Sequence, residues 1–191
     1  LFPYTTLFRS SYCESNEIDV LGDGTQCETS KFEITTTNLM ANTTFGFYMS
    51  ASGTFYVDWG DGTVDTITRS DINETLYTHE FLSGGKKTIR FGGLATAYNW
   101  NSNAASAVST IRFGYKESPD DSTPDLIASI SGSLGAIFAN FSGWANAPIF
   151  DHTFSHAINI TSVPGTLFSG LNKSAYGMFR HTFYGCSSLT Y

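Results

Sequence analysis

Three carboxylates, Asp58, Asp61 and Asp65, fall close together around a Trp-Gly-Asp-Gly stretch. Calcium is bound by carboxylate and carbonyl oxygens, so the three form a candidate calcium site. The twelve-residue calcium-loop pattern is absent. The competing reading is turn chemistry at Asp61-Gly62, with the aspartate capping backbone N–H groups. Histidines 79, 152, 156 and 181 are the next candidates. The i, i+4 spacing of His152 and His156 would present two imidazoles to zinc from a helix. No glutamate lies between them, however, and no third ligand is evident. His152 and His181 sit at equivalent points of a repeated pattern, which makes them scaffold residues first. His79 falls in a strand-like run, as a structural histidine.

Cys186 with His181 and Asp151 has the residue types of a thiol protease, yet no nucleophile signature surrounds the cysteine. A cysteine at a repeat position usually acts as a small buried apolar residue. Gly-x-Ser-x-Gly, Gly-x-x-x-x-Gly-Lys and Gly-x-Gly-x-x-Gly do not occur. No catalytic residue, metal or cofactor is therefore assigned. Cys13 and Cys27 bracket a turn-rich stretch, and a disulfide closing that loop is expected if the chain is exported. Free thiols are the alternative. Five Asn-x-Ser/Thr sequons, at Asn42, Asn73, Asn140, Asn159 and Asn172, would mark surface loops in a eukaryotic secretory protein.

Short strands must position these groups. Lys31 to Thr37 alternates Phe32 and Ile34 with polar neighbours, and the next run alternates Phe45, Phe47 and Met49. Phe55, Val57 and Trp59 share one face of a third run. Runs over 63–69, 76–81 and 86–93 follow. This spacing of strand-like runs and turn signals points to an antiparallel sandwich over 31–116. Within it, 94–108 reads as a loop or short helix, and Ser109 to Gly114 as one more strand. Residues 117–125 form a polar, proline-containing linker.

Beyond the linker, over 126–191, the pattern changes. Ile127 to Phe138 is similar to Ile160 to Gly170, and Phe150 to Thr161 is similar to Phe179 to Thr190. The first pair is set slightly further apart than the second, so the earlier unit carries a short insertion. A recurrence of roughly 30 residues predicts stacked units, which bury together an apolar face none can bury alone. The array is expected to continue past Tyr191. Residues 11–30 form a separate cysteine-containing segment. Leu1 to Ser10 resembles a translated sequencing adapter at all ten positions and is set aside from fold reasoning.

The chain has 41% hydrophobic and only 14% charged residues, with 16 Phe and 10 Tyr. Globular proteins carry about 25% charged residues, so the surface here is covered mainly by neutral polar groups, as on many secreted β proteins. Net charge is −7, and no basic cluster exists to attract nucleic acid or an anionic membrane. No apolar run reaches the roughly 20 residues that span a bilayer.

Two resemblances follow. Trp59-Gly60-Asp61-Gly62-Thr63, then Tyr77, His79 and Phe81, then Gly84, Gly85, Thr88, Ile89 and Phe91 resemble the PKD-like sandwich family. The chain departs from the family at Lys86-Lys87. Ile160, Pro164, Leu167, Phe168, Met178, Phe179, Phe183, Cys186 and Leu189 resemble the BspA-like leucine-rich repeats of bacterial surface proteins. In the earlier unit Ser131 stands for the proline and Ala157 for the cysteine, as suits a capping unit.

The expected fold is thus mainly β: a PKD-like antiparallel sandwich followed by the start of a leucine-rich-repeat-type solenoid. The resemblances imply a non-catalytic, adhesin-like module, extracellular or on the cell surface, with a protein or glycan partner. The alternative is an accessory module of a secreted hydrolase. Fold alone does not decide between them.

Overall fold

The computed structural model describes residues 13–14, 16–21, 26–99, 108–114, 123–139 and 147–190. The adapter-like Leu1 to Ser10 and most of the expected linker lie outside them. The described chain is mainly β, and every strand pairing in it is antiparallel.

The first pair is a small ribbon of β1 (Glu17–Asp19) and β2 (Cys27–Thr29). The other strands are β3 (Phe32–Thr36), β4 (Thr43–Met49), β5 (Ala51–Asp58), β6 (Val64–Arg69), β7 (Thr75–Phe81), β8 (Thr88–Tyr98), β9 (Ile111–Arg112) and β10 (Ile127–Gly132). They form a five-stranded sheet in the order β10-β3-β8-β5-β6 and a three-stranded sheet in the order β7-β4-β9. Residues of both sheets share one core, an arrangement compatible with a β-sandwich.

The alternation that marks these strands in the sequence sets their buried face. β3 buries Phe32 and Ile34, β4 buries Phe45, Phe47 and Met49, and β5 buries Phe55 and Val57. Side chains two apart share a face, so each strand contributes a row of rings. Trp59, Phe47, Phe91 and Phe113 meet at centroid separations of 5.4–6.2 Å. Burying one such ring stabilises the fold by about 1.5–3 kcal/mol.

Two expectations are corrected. The stretch after Gly93, read as a loop or short helix, continues β8 to Tyr98 along β5. The segment expected to open the repeats after residue 126 is first of all a sheet strand. Ile130 and Gly132 of β10 lie opposite Ile34 and Phe32 of β3. Without β10, β3 would be an exposed edge, and pairing there covers its open hydrogen-bonding groups. The next residues, Ser133 and the single helical turn α1 (Leu134–Ile137), lie against 166–170. Leu134 N–H donates to the Leu167 carbonyl at 2.8 Å, and the Ser133 hydroxyl to the Ser169 carbonyl at 3.1 Å.

From Ile149 the chain runs in consecutive tight turns. Residues 150–157 form a lower rung and 178–186 an upper rung. The amides of Phe150, His152, Phe154 and His156 donate upward to the carbonyls of Met178, Arg180, Thr182 and Tyr184 at 2.6–3.0 Å. Below, Thr110 and Phe113 donate to Ile149 and Thr153 in the same direction. The stretch around β9 thus serves as the floor of the ladder while also pairing with β4. Phe113, Phe154 and Phe183 stack in one column, both centroid separations being 5.4 Å. Thr153 and Thr182 each donate a hydroxyl to the stretch below, to Ile111 and Phe150, at 2.8 Å.

Candidate functional site

The Trp-Gly-Asp-Gly corner joins β5 to β6. Gly60 has left-handed backbone, and a side chain there would collide with the Thr88 carbonyl. Only glycine fits such a position. Trp59 is fully buried, and its indole N–H donates to Asp65 at 2.9 Å. His79 reaches the corner from β7. Its ring stacks on Trp59 at 4.7 Å, and its Nε2 lies 2.7 Å from Asp61. Trp59, Asp61, Asp65 and His79 therefore meet at one built corner.

The three carboxylates do not converge on a common point as calcium ligands. Asp58 accepts from Gly60 N–H at 2.8 Å and pairs with Arg90 at 3.1 Å. Asp61 accepts from the Thr63 amide and hydroxyl at 3.1 and 2.6 Å. Asp65 holds Trp59. Each oxygen set is committed to a turn, an ion pair or the indole, as turn chemistry requires. Partial burial pushes the Asp61 carboxyl up, but the bonds from Thr63 and His79 outweigh it and hold the group below the usual carboxylate range.

The rungs bring a second set of ionisable groups together. Asp151 is 2% exposed, its Oδ2 lies 2.7 Å from Arg180 Nη2, and its Oδ1 lies 2.7 Å from His152 Nδ1. The carboxylate raises the already high Arg180 pKa further, chiefly by hydrogen bonding. His181 lies beside His152, with centroids 4.7 Å apart. Asp151, His152 and His181 are close enough to share an ion, but the carboxylate already holds a guanidinium that a metal would have to displace. Asp151 and Arg180 sit next to Phe150 and Phe179, which the repeat aligns, so the same alignment predicts their contact. Sequence reading missed this pair although the signal was present.

His152 and His156 do not lie on a helix. Both have left-handed backbone, with φ 57° and 62°, and so has His181 at 53°. His156 turns to Tyr184, while His152 turns to Asp151 and His181. The zinc reading, which needed helical i, i+4 geometry, is thereby overturned. The residue equivalent to His156 is Gly185, at φ 73°, and a side chain there would meet the His156 ring at 2.6 Å. These positions are turn corners of the ladder.

Cys186 does not have the surroundings of an attacking thiol. Its Sγ donates to the Phe154 carbonyl at 3.0 Å. Burial pushes the thiol pKa up, against a smaller opposing backbone bond, which disfavours the thiolate a nucleophile needs. Cys13 and Cys27 are disulfide-bonded across the β1–β2 ribbon. Of the sequon asparagines, Asn42, Asn73, Asn159 and Asn172 are exposed, and Asn140 lies outside the described residues.

Among the described residues, no helix is long and apolar enough to cross a membrane. No family model, curated protein or solved structure matches the chain.

Proposed function

We propose that this chain is a non-catalytic interaction module of an extracellular or cell-surface protein, adhesin-like in character. In this reading a PKD-like sandwich acts as the platform, and the rungs begin a leucine-rich-repeat-type array that carries the binding surface. The partner is a protein or glycan on another surface. The observation that carries the reading is the ladder of rungs built on the sandwich core. A rigid stack with an outward face is the usual architecture of extended recognition surfaces. Three further features support it. The surface is poor in charge. The Cys13–Cys27 disulfide suits an oxidising compartment. The carboxylates and histidines singled out for chemistry are engaged in turns, ion pairs and ring contacts.

The test is a screen of the purified, disulfide-intact chain against immobilised glycans and extracellular-matrix proteins. Saturable binding to one class is expected. Absence of saturable binding to both, or a complete reading frame that continues into a catalytic domain, would overturn the adhesin-like reading in favour of an accessory module.

A further inference from the structure

The junction between the two rungs gathers three metal-ligating side chains from both of its sides. Asp151 and His152 belong to the lower rung, His181 to the upper. A carboxylate oxygen and one nitrogen from each imidazole all lie within 4.8 Å of one another. Two of these groups are closer still, with Asp151 Oδ1 2.7 Å from His152 Nδ1. Zinc–ligand bonds of about 2.0–2.2 Å in a tetrahedral array set ligand atoms roughly 3.4 Å apart, so shifts of about 1 Å would seat an ion among the three. The repeat itself builds this placement. His152 and His181 hold the same position in successive units, both at left-handed corners with φ 57° and 53°, and their ring centroids are 4.7 Å apart. Asp151 is held beside them, buried next to the fully buried Phe150.

We propose that Asp151, His152 and His181 form an inter-rung site for a divalent transition metal of the zinc type, for which Arg180 is the built-in competitor. Two imidazole nitrogens with one carboxylate oxygen suit zinc, cobalt, nickel or copper. Calcium and magnesium, which take oxygen ligands, are not matched. Arg180 holds the same carboxylate as a fork, its Nη2 2.7 Å from Oδ2 and its Nε 3.3 Å from Oδ1. Its side chain is 29% exposed, so the guanidinium can turn out into water when an ion arrives. The ion then replaces the guanidinium as countercharge to the buried carboxylate, which never stands unpaired. Ligation needs neutral imidazoles, so binding weakens as pH falls through the histidine range. A bound ion would staple one unit of the ladder to the next. This goes beyond the interaction-module reading and holds whatever partner the surface binds.

The other histidines and the free thiol are engaged elsewhere and serve as controls. His156 lies against Tyr184, His79 is held by Trp59 and Asp61, and Cys186 bonds the Phe154 carbonyl.

The probes are Co²⁺, followed by its visible absorption, and Zn²⁺, followed by calorimetry, each added to the tag-free, disulfide-intact protein. Saturable binding of a single ion is expected, with Zn²⁺ displacing Co²⁺ and no cobalt–thiolate charge-transfer band. His181→Ala should weaken binding by roughly tenfold or more, and His156→Ala should leave it unchanged. Arg180→Gln removes the competitor and should tighten binding by roughly tenfold or more, with zinc raising the melting temperature of that variant further than that of the wild type. Ca²⁺ should have no effect. If His181→Ala fails to fold, wild-type NMR decides: Co²⁺ must broaden the ring signals of His152 and His181 and spare those of His79. The proposal is overturned if the wild type binds neither ion saturably, or if His181→Ala binds as tightly as the wild type. It is equally overturned if Arg180→Gln binds no tighter, or if a thiolate band assigns the ion to Cys186.

Discussion

The two-sheet region and the rungs solve the same burial problem differently. Between the two sheets, each strand's apolar face meets a different partner across the core, so Trp59 is enclosed by Phe45, Phe47, Phe81 and His79 from two other strands. In the rungs, each position meets its own counterpart in the next unit: Phe150 on Phe179, Phe154 on Phe183 and Asp151 against Arg180. The first arrangement closes on itself. The second repeats one contact pattern from unit to unit along the chain.

The sharpest way to break that comparison is at the residue that belongs to both. Phe154 is fully buried, stacks on Phe113 below and Phe183 above, and also meets Phe32 of β3 at 6.0 Å. Phe154→Ala is expected to cost about 4 kcal/mol. Because the column is shared, sandwich and rungs should unfold together. Coincident transitions in tryptophan fluorescence and far-ultraviolet circular dichroism would verify this. If only the rung amides lose protection, the regions are separate folding units.

A smaller effect is expected at the disulfide. Cys13 and Cys27 close a short loop around the ribbon. Closing a loop of that size stabilises by up to about 3 kcal/mol through the unfolded state. The ribbon it ties packs Ile18, fully buried, near Gly92 of β8. Cys13→Ser with Cys27→Ser should lower the sandwich transition in chemical denaturation and leave the ring contacts between rungs intact. A loss of rung protection without a shift of the midpoint would contradict this.

The Asp61–His79 contact tests the corner. The Asp61 carboxyl pKa is depressed in the folded state. Its contribution to stability is therefore fully present above the unfolded value of about 3.9, and is lost as pH falls through the folded value. Asp61→Asn should cost about 1 kcal/mol at pH 7, where His79 and Thr63 lose a charged acceptor. The wild-type advantage should shrink in thermal melts below about pH 4. An advantage that instead grows on acidification would show that Asp61 is not held by these bonds.

These effects also show which parts of the fold the sequence exposes. β3, β4 and β5 were legible because one face is buried and the other wet, which writes period-two alternation into Phe32 and Ile34 or Phe45 and Phe47. β10 was not, because an edge strand that also opens a repeated pattern satisfies two constraints, and only the repeat leaves a sequence trace. The end of β8 was hidden by Gly92-Gly93, which reads as a break although both lie opposite β5. At the corner, the residue types were legible. Their pairing was not, because His79 and Asp61 meet only when β7 folds over β5 and β6. In the rungs the reverse holds. One offset locates Asp151 against Arg180, and the left-handed turns at His152 and His181 fall at the same repeat position.

The smallest expected effect separates a fully buried repeat position from a partly buried one. Cys186 stands where the lower rung has Ala157, which is fully buried. The cysteine adds one weak donor, its Sγ bonding the Phe154 carbonyl, and is only partly buried. Cys186→Ala should therefore change stability by less than about 1 kcal/mol, since the lower rung tolerates alanine at this position and Cys186 is only partly buried. Urea denaturation of the two proteins side by side measures the difference. A cost above about 2 kcal/mol would mean a cavity the surroundings cannot collapse. The Cys186 position would then be packed as rigidly as that of Ala157, and the contrast between a fully and a partly buried repeat position would fail at the residue where it should be plainest.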